Sequence, residues 1–291
     1  QGAAALRIDT IRHVPHAFWK RFGERVRAKH PGLFMFGESF DYEANNIAKY
    51  TQPDGGSMSV LDFPLQKQLT AVFQNPGADF ASLTSALWLT GGPYRNPYEL
   101  MTFYDNHDMA RFNGSDEAFI DVHNWLFTAR GIPVVYYGSE MGFMRGRAEH
   151  AGNRNYFGVD NIALASSHSI HRHLQSIAKV RQSSQALQRG LQLNVRFQND
   201  EAAFYRVYQH DGTAQIALVL LNKSSSPKRM SVSAYVESGS WRDAASGDAL
   251  EVLDEIAADV PAHGVRVLLR DAPITRQEFA RELRTLMKSV N

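Results

Sequence analysis

The sequence predicts an α/β fold of parallel strand–helix units, followed by an all-β module. Two observations lead to this prediction. Up to about Gly138, short apolar runs alternate with amphipathic helical patterns, which is the order found in parallel βα units. After about residue 188, short strands recur at regular spacing with turn residues between them, which is typical of a β-sandwich.

The composition narrows the classes of function. The chain has 291 residues, 44% of them hydrophobic, and a net charge of +1. A charge this small indicates neither nucleic acid nor a membrane surface as a partner, and no apolar run is long enough to span a bilayer. The absence of cysteine excludes disulfides and thiolate chemistry. The first strand begins only a few residues after Gln1, so we expect the natural start of the protein to be missing.

The strand–helix units follow one another along the first part of the chain. In the first unit, Leu6 and Ile8 alternate with charged residues, and Pro15 then opens a helix. Four more strands are predicted at residues 33–39, 58–63, 100–108 and 132–140. Helices are predicted at residues 65–73, 80–90, 118–131 and about 168–185. This region, residues 1–188, is therefore predicted to form a parallel α/β domain.

The rest of the chain divides into a β-module at residues 189–272 and a terminal helix at residues 273–291. Alternating apolar runs predict at least four strands in the module, at residues 202–209, 215–222, 229–236 and 265–271. We expect this sandwich to pack as a separate unit. Thr275 and Glu278 have the spacing of a capping box at the start of the terminal helix.

Three predicted strands end in an acidic residue: Asp9, Glu38 and Asp108. In a parallel barrel, such side chains converge at the carboxyl ends of the strands, where active sites lie. Two carboxylates facing one bond are the groups used in glycoside hydrolysis. Arg7 favours the ionised form of Asp9, the nucleophile, and the apolar run before Glu38 favours its protonated form, the acid. Asp108 is left to stabilise the developing positive charge.

Four segments carry a resemblance to a known family. "LRIDTIRHV", "FGES" and "FYDNHD" are similar to the second, third and fourth signatures of the α-amylase family of glycoside hydrolases (family 13), and "GIPVVYYGSE" is similar to its eighth barrel strand. The resemblance implies a (β/α)₈ TIM barrel, here strands 4–8 only, followed by a β-sandwich C-domain. It also implies a retaining mechanism on α-1,4-glucosidic bonds of starch-like glucans through a covalent glycosyl-enzyme.

The resemblance assigns the same roles to the three carboxylates and adds binding residues. Arg7 would orient the nucleophile, and His107 would hold sugar hydroxyls at the cleavage subsite. Arg12 and His13 would contact the neighbouring sugar on the leaving-group side. Phe40 lies on a loop at the active face and is a candidate for stacking on a sugar ring; Tyr156 and Phe157, on a later loop, are further candidates.

The chain also departs from the family pattern. Ala5 stands where the family usually has glycine, and the first signature and first three strands are absent. The family's calcium is held largely by those missing segments, and of the residues present only the His13 carbonyl would contribute. We therefore predict no metal and no cofactor here. The fragment alone is expected to be inactive, with open barrel edges that pair with the missing N-terminal half or with a second copy. By family resemblance, the location is extracellular or periplasmic.

Two alternative functions remain open. An α-glucan transglycosylase or cyclodextrin-acting enzyme of the same family would use the same residues. A non-catalytic glucan-binding or partner subunit belongs to another class, and the intact set of Asp9, Glu38 and Asp108 argues against it. The histidine run "HSIHRH" at residues 168–173 has no acidic partner in sequence and is interpreted as helix surface rather than a metal site.

Overall fold

The computed structural model describes residues 2–287. Its first part contains five strands in chain order: β1 (Ala5–Ile8), β2 (Phe34–Gly37), β3 (Ser59–Val60), β4 (Met101–Thr102) and β5 (Ile132–Pro133). The first three form one parallel sheet and the last two form a parallel pair, joined to it by a parallel bridge between Leu61 and Met101. The predicted parallel α/β region is therefore confirmed, as a partial barrel.

Helices connect these strands. They are α1 (His16–Lys29), α2 (Ala44–Ile47), α3 (Phe63–Phe73), α4 (Asp116–Thr128), α5 (Val159–Ala165), α6 (Ser169–Gln182) and α7 (Gln185–Arg189). Helix α4 begins where Ser115 Oγ accepts the N–H of Ala118 at 3.2 Å. The segment predicted as helix at residues 80–90 instead forms a 3₁₀ turn at Phe80–Ala86. There, the hydroxyl of Thr84 donates to the carbonyl of Ala81 and competes with regular helix bonding.

Strands β4 and β5 are much shorter than predicted. The chain turns soon after β4, because Asn106 Oδ1 accepts the backbone N–H of Asp108 at 2.8 Å. After β5, Gly138 adopts a left-handed conformation with φ of 81°. After β4, Phe103 and Tyr104 are buried without extending the ladder, whereas the apolar residues at 134–137 after β5 are only partly buried or exposed. Hydrophobicity alone therefore overstated the strand lengths.

The second part is antiparallel. Its strands are β6 (Leu191–Gln198), β7 (Glu201–His210), β8 (Thr213–Asn222), β9 (Lys228–Val232), β10 (Gly239–Asp243), β11 (Ala249–Val252), β12 (Ile256–Val260) and β13 (Gly264–Arg270). Six of them form one sheet in the order β11-β10-β13-β8-β7-β6, and β12 pairs with β9 in a second, two-stranded sheet. This is the all-β module that the regular strand spacing predicts.

The six-stranded sheet is covered on both faces, by different partners. On one face, Phe204 belongs to the same buried cluster as Trp125 of α4, with ring centroids 5.9 Å apart. On the other face, Tyr205 packs in a cluster with Ile256 of the two-stranded sheet and with Phe279. Alternate residues of each strand point to opposite faces, so one side of the sheet packs in a core with the two-stranded sheet and the other side packs against barrel helices. That the sandwich folds as a separate unit stays a prediction.

The terminal helix α8 (Gln277–Thr285) is fixed at both ends. The capping box predicted from Thr275 and Glu278 was wrong: the Thr275 hydroxyl donates to the buried carboxylate of Glu237, which also accepts the backbone N–H groups of Thr275 and Arg276 at 2.8 Å each. Past the helix, the N–H of Met287 donates to the Leu89 carbonyl at 2.7 Å. Within residues 2–287, no helix has the length and apolar content needed to cross a membrane.

Candidate active site

The ends of β1 and β2 are locked together at the site. The N–H of Glu38 donates to the Ile8 carbonyl at 2.8 Å, and the N–H of Ile11 donates to the Glu38 carbonyl at 3.0 Å. A Cβ added at Gly37 would lie 2.4 Å from Ile11 Cδ1, so glycine is what lets the two strands' loops pack this closely. These contacts fix the relative position of Asp9 and Glu38.

The backbone beside Asp9 is strained. Thr10 has φ of 50°, in the left-handed region that β-branched residues rarely occupy. Such conformations persist where the surroundings hold them, and they are frequent at functional sites. Behind this turn, Trp19 is buried and its Nε1 donates to the Ile11 carbonyl at 2.9 Å, so Trp19 belongs to the core.

Arg7 lies between the two carboxylates. Its Nη2 is 3.1 Å from Glu38 Oε2 and 3.6 Å from Asp9 Oδ1. Burial, together with a hydrogen bond with Asp9, raises the pKa of Glu38 to about 7, against the charge of Arg7. The same hydrogen bond from Glu38 lowers the pKa of Asp9, and the Arg7 charge adds to that effect. The site thus holds one carboxyl group in its ionised form and one that binds a proton near neutral pH.

Asp108 is held by the adjacent His107 and by the long loop after β5. Its carboxylate lies 3.0 Å from His107 Nε2 and forms a salt bridge with Arg154. Arg154 Nε and Asn153 Nδ2 also donate to the His107 carbonyl, at 3.2 and 2.6 Å. Sequence reasoning missed Arg154 and Asn153; the arginine-rich loop that contains them was the available signal.

A second aspartate, Asp105, lies beneath the loop that carries Asp108 and holds it by hydrogen bonds. It is buried, and it accepts the N–H of Phe112 at 3.2 Å and the Ser139 hydroxyl at 3.0 Å. Burial raises the pKa of Asp105 to about 6. The carboxyl group therefore ties the loop after β4 to the loop after β5. Sequence reasoning missed this residue, because "FYDNHD" contains two aspartates and burial alone separates their roles.

The remaining residues predicted to bind sugar lie close to this cluster. Arg12 Nη1 donates to the Phe40 carbonyl at 2.5 Å, which links the loops after β1 and β2. His13 is exposed at the end of the 3₁₀ turn that contains Arg12. The Phe40 ring is 43% exposed and packs edge-on against Phe63 and Tyr42, at 4.7 and 5.5 Å between centroids. One side of this ring is thus available to a ligand.

The later loop aromatics differ from each other. Tyr156 is 86% exposed, whereas Phe157 packs edge-on against Phe143 with ring centroids 5.0 Å apart. Tyr156 therefore keeps its ring free, and Phe157 serves mainly to hold the loop.

The structure offers no set of residues that fits the family's calcium. Within residues 2–287, no group of three His, Cys, Asp or Glu side chains is placed to hold a metal ion. The exposed His13 carbonyl is by itself an incomplete ligand set for calcium, which takes 6–8 oxygens. The histidine run is divided among separate partners: His173 Nε2 is 2.7 Å from Asn124 Oδ1, and His168 lies near Asp116.

Parallel strand–helix units with acidic residues at the strand ends, followed by an antiparallel C-terminal domain, define the class: a TIM-barrel catalytic region with a β-sandwich. The comparison with protein families is specific. The family model described as "Alpha amylase, catalytic domain" matches residues 8–185. The chain belongs to the alpha-amylase family.

Curated relatives and solved structures agree with this assignment. The cyclomaltodextrin glucanotransferase of Paenibacillus macerans is 27% identical over 258 residues, covering 87% of this chain and 34% of the relative. An alpha-amylase of Niallia circulans is 28% identical over 251 residues, covering 83% and 45%. The alpha-amylase of Geobacillus thermoleovorans, solved with acarbose, superposes with a TM-score of 0.76 at 23% identity, over 92% of this chain and 60% of that one. The chain thus spans less than half the length of these two curated relatives.

Proposed function

We propose that the protein cleaves α-1,4-glucosidic bonds of starch-like glucans or maltooligosaccharides with retention of configuration. Asp9 is the nucleophile, Glu38 the acid/base and Asp108 the stabiliser of the transition state. The observation that supports this most is the opposite shift of two neighbouring carboxyl groups: the pKa of Glu38 is raised to about 7, whereas that of Asp9 is lowered. Two carboxyl groups with separated pKa values are what a retaining glycosidase requires.

In the proposed reaction, protonated Glu38 gives its proton to the leaving glycosidic oxygen while ionised Asp9 attacks the anomeric carbon. A water molecule activated by Glu38 then hydrolyses the glycosyl-enzyme. The two carboxyl groups are near enough for each to shift the pKa of the other, which is what a shared reaction site requires.

The surrounding residues supply binding and charge. Arg7 contacts both reacting carboxylates. Its charge helps to keep Asp9 ionised, whereas burial raises the pKa of Glu38 against that charge. Asp108 and His107 lie together at the end of β4, where they would bind hydroxyl groups of the sugar in the cleavage subsite. Arg12 and His13 follow Asp9 directly and would contact the sugar on the leaving-group side, with Phe40 stacking nearby.

Transfer to another sugar is the second candidate. It uses the same glycosyl-enzyme but a sugar hydroxyl in place of water. The observation that favours it is that several relatives are cyclomaltodextrin glucanotransferases, including one from a Bacillus strain at 30% identity over 84% of this chain. Chromatography of the products from soluble starch, maltooligosaccharides, cyclodextrins and sucrose, with the full-length protein, separates the two. Linear products alone indicate hydrolysis, cyclic or lengthened products indicate transfer, and binding without turnover indicates a non-catalytic glucan-binding subunit.

We also propose that the five barrel strands need further strands from another segment or chain. Among residues 2–287, β1 pairs only with β2, and the apolar Phe18 of α1 is 45% exposed. Open strand edges and exposed apolar side chains favour association. The 291-residue chain alone is therefore expected to leave starch intact. Sedimentation of the purified chain tests association, and turnover at the rate of a complete amylase would contradict the proposal.

A further inference from the structure

Arg111 is a buried cation close to Asp108 that the proposed mechanism does not use. It is 3% exposed and lies three residues after Asp108, on the loop that follows β4. Its Nε donates to the carbonyl of Gly152 and its Nη1 to that of Tyr137, each at 2.9 Å. Its Nη2 is buried and has no acceptor among residues 2–287. An incompletely satisfied buried cation is costly, so stability alone explains this arginine poorly.

The aromatic rings around Arg111 come from the loop after β5. Its guanidinium carbon lies 4.4 Å from the ring centroid of Tyr136, 4.8 Å from that of Tyr137 and 5.7 Å from that of Phe143. Arginine presents donors in a planar fork while its face stacks on aromatic rings, a combination that lysine lacks. The backbone N–H of Arg111 also donates to the Arg147 carbonyl at 2.9 Å. One residue therefore attaches the loop after β4 to the long loop after β5.

The part of the loop after β5 that Arg111 binds is also the part that contacts Asp108. Gly152, whose carbonyl accepts from Arg111, is followed directly by Asn153. Asn153 Nδ2 donates to the His107 carbonyl at 2.6 Å, and the arginine that follows it pairs with Asp108. Arg111 therefore fixes both the loop that carries Asp108 and the segment that contacts it.

We propose that Arg111 is a positioning residue for Asp108: it fixes that carboxylate from a buried site, without contacting the substrate, and so raises kcat rather than substrate affinity. The proposal rests on the proposed function, in which Asp108 stabilises the transition state. An electrostatic stabiliser is effective only when it is held in place relative to the developing charge. Arg154 supplies one contact to Asp108, whereas Arg111 holds two loops, so replacing Arg111 should have the larger effect.

The test is Arg111→Lys in the full-length protein, which keeps the charge and removes the planar fork. The matched control is Arg206→Lys: Arg206 is also buried and donates to backbone carbonyls, those of Thr128 and Gly190, but at the interface with the β-module. Thermal unfolding is measured for both variants, and turnover of maltoheptaose is followed well below the lower Tm. Arg111→Lys should lower kcat at least about tenfold and leave KM within about threefold, whereas Arg206→Lys should leave both within about twofold. A loss of stability in Arg111→Lys without a loss of kcat would overturn the proposal.

An Asp108→Asn background separates positioning from a general structural effect. Maltosyl fluoride is the substrate here, because its activated leaving group keeps slow variants measurable. If Arg111 acts through Asp108, adding Arg111→Lys to Asp108→Asn should change kcat by less than about twofold. Equal losses with and without Asp108→Asn would overturn the proposal and leave the proposed function intact. An unchanged kcat in Asp108→Asn alone would refute the proposed role of Asp108 itself.

Tyr136→Phe is a second variant that keeps the test decisive if Arg111→Lys does not fold. It removes the hydroxyl group that donates to the Asn153 carbonyl at 2.7 Å and keeps the ring against Arg111. Because it loosens the same segment, kcat should fall about three- to tenfold with KM unchanged, and the loss should disappear in the Asp108→Asn background. An unchanged kcat in Tyr136→Phe would contradict the proposal.

Discussion

The catalytic face and the interface between the barrel and the β-module both bury charged groups. The two regions differ in how completely those charges are paired. At the interface, Arg130 and Asp62 are fully buried, 2.8 Å apart, and Arg130 also donates to the carbonyls of Ala86, Leu87 and Pro97. At the face, Glu38 is almost as buried but shares Arg7 with Asp9. Satisfied charges hold the fold together, whereas a carboxyl group with a shared partner keeps a pKa available for chemistry.

The largest effect on activity is expected from substitution of Asp9 or Glu38 at the catalytic face. Asp9→Asn should remove nearly all turnover on every substrate, because it removes the proposed nucleophile. Glu38→Gln should lower kcat on starch by about 10²–10⁴-fold, the usual contribution of a general acid. With a substrate that has an activated leaving group, Glu38→Gln should still release that group rapidly, since no proton is needed. Stopped-flow assays measure this burst, and equal, modest losses for both variants would refute the assigned roles.

Breaking the interface pair should affect stability instead. Arg130→Met leaves Asp62 buried without its partner, which is expected to cost about 3–5 kcal/mol of unfolding free energy. Urea unfolding followed by circular dichroism measures the change. The control is Arg229→Met, which removes an exposed pair with Asp259 and should cost at most about 1 kcal/mol. Similar losses in the two variants would mean that burial does not distinguish the pairs.

The pH dependence of activity sharpens the comparison further. In the proposed mechanism Glu38 carries a proton at the first step, and its pKa is about 7. As pH rises through that value the acid is lost, so kcat/KM should fall about tenfold per pH unit above it. The pH profile of kcat/KM on maltooligosaccharides measures this fall at alkaline pH. With a substrate whose activated leaving group needs no acid, the rate of the glycosylation step should not fall at alkaline pH. If it still falls, the pKa of about 7 belongs to a group other than Glu38.

The smallest effect is expected at the edge of the face. Arg154 pairs with Asp108 but its side chain is 64% exposed, so Arg154→Ala should leave stability within about 0.5 kcal/mol. Asp108 would lose one of its two partners, and we expect a change in KM of less than about tenfold. Lys20→Ala, which removes a half-exposed lysine of α1 and its surface pairs with Glu24 and Asp54, is the control. A loss as large as that of Asp9→Asn would place Arg154 among the catalytic residues.

The fold class and the acidic cluster can be predicted from the sequence because both follow from local patterns of residues. Alternating apolar and charged residues end at Asp9 and at Glu38, and strand ends converge by topology. It does not contain contacts made between distant segments. Arg154 reaches Asp108 across 46 residues, and Asp105 differs from Asp108 only by burial. Thr275 has the spacing of a helix cap, but a carboxylate 38 residues earlier takes its hydroxyl. Local rules fail where a long-range partner competes.

The six-stranded sheet, with one face against barrel helices, has a consequence for evolution and engineering. Phe204 and Trp125 bury each other across what the chain order presents as a domain boundary. Cutting the chain near residue 190 would expose both apolar surfaces at once, so we expect a C-terminal part transplanted alone to leave apolar surface uncovered. A chimera should fold well only when the outer faces of the barrel helices are replaced together with it.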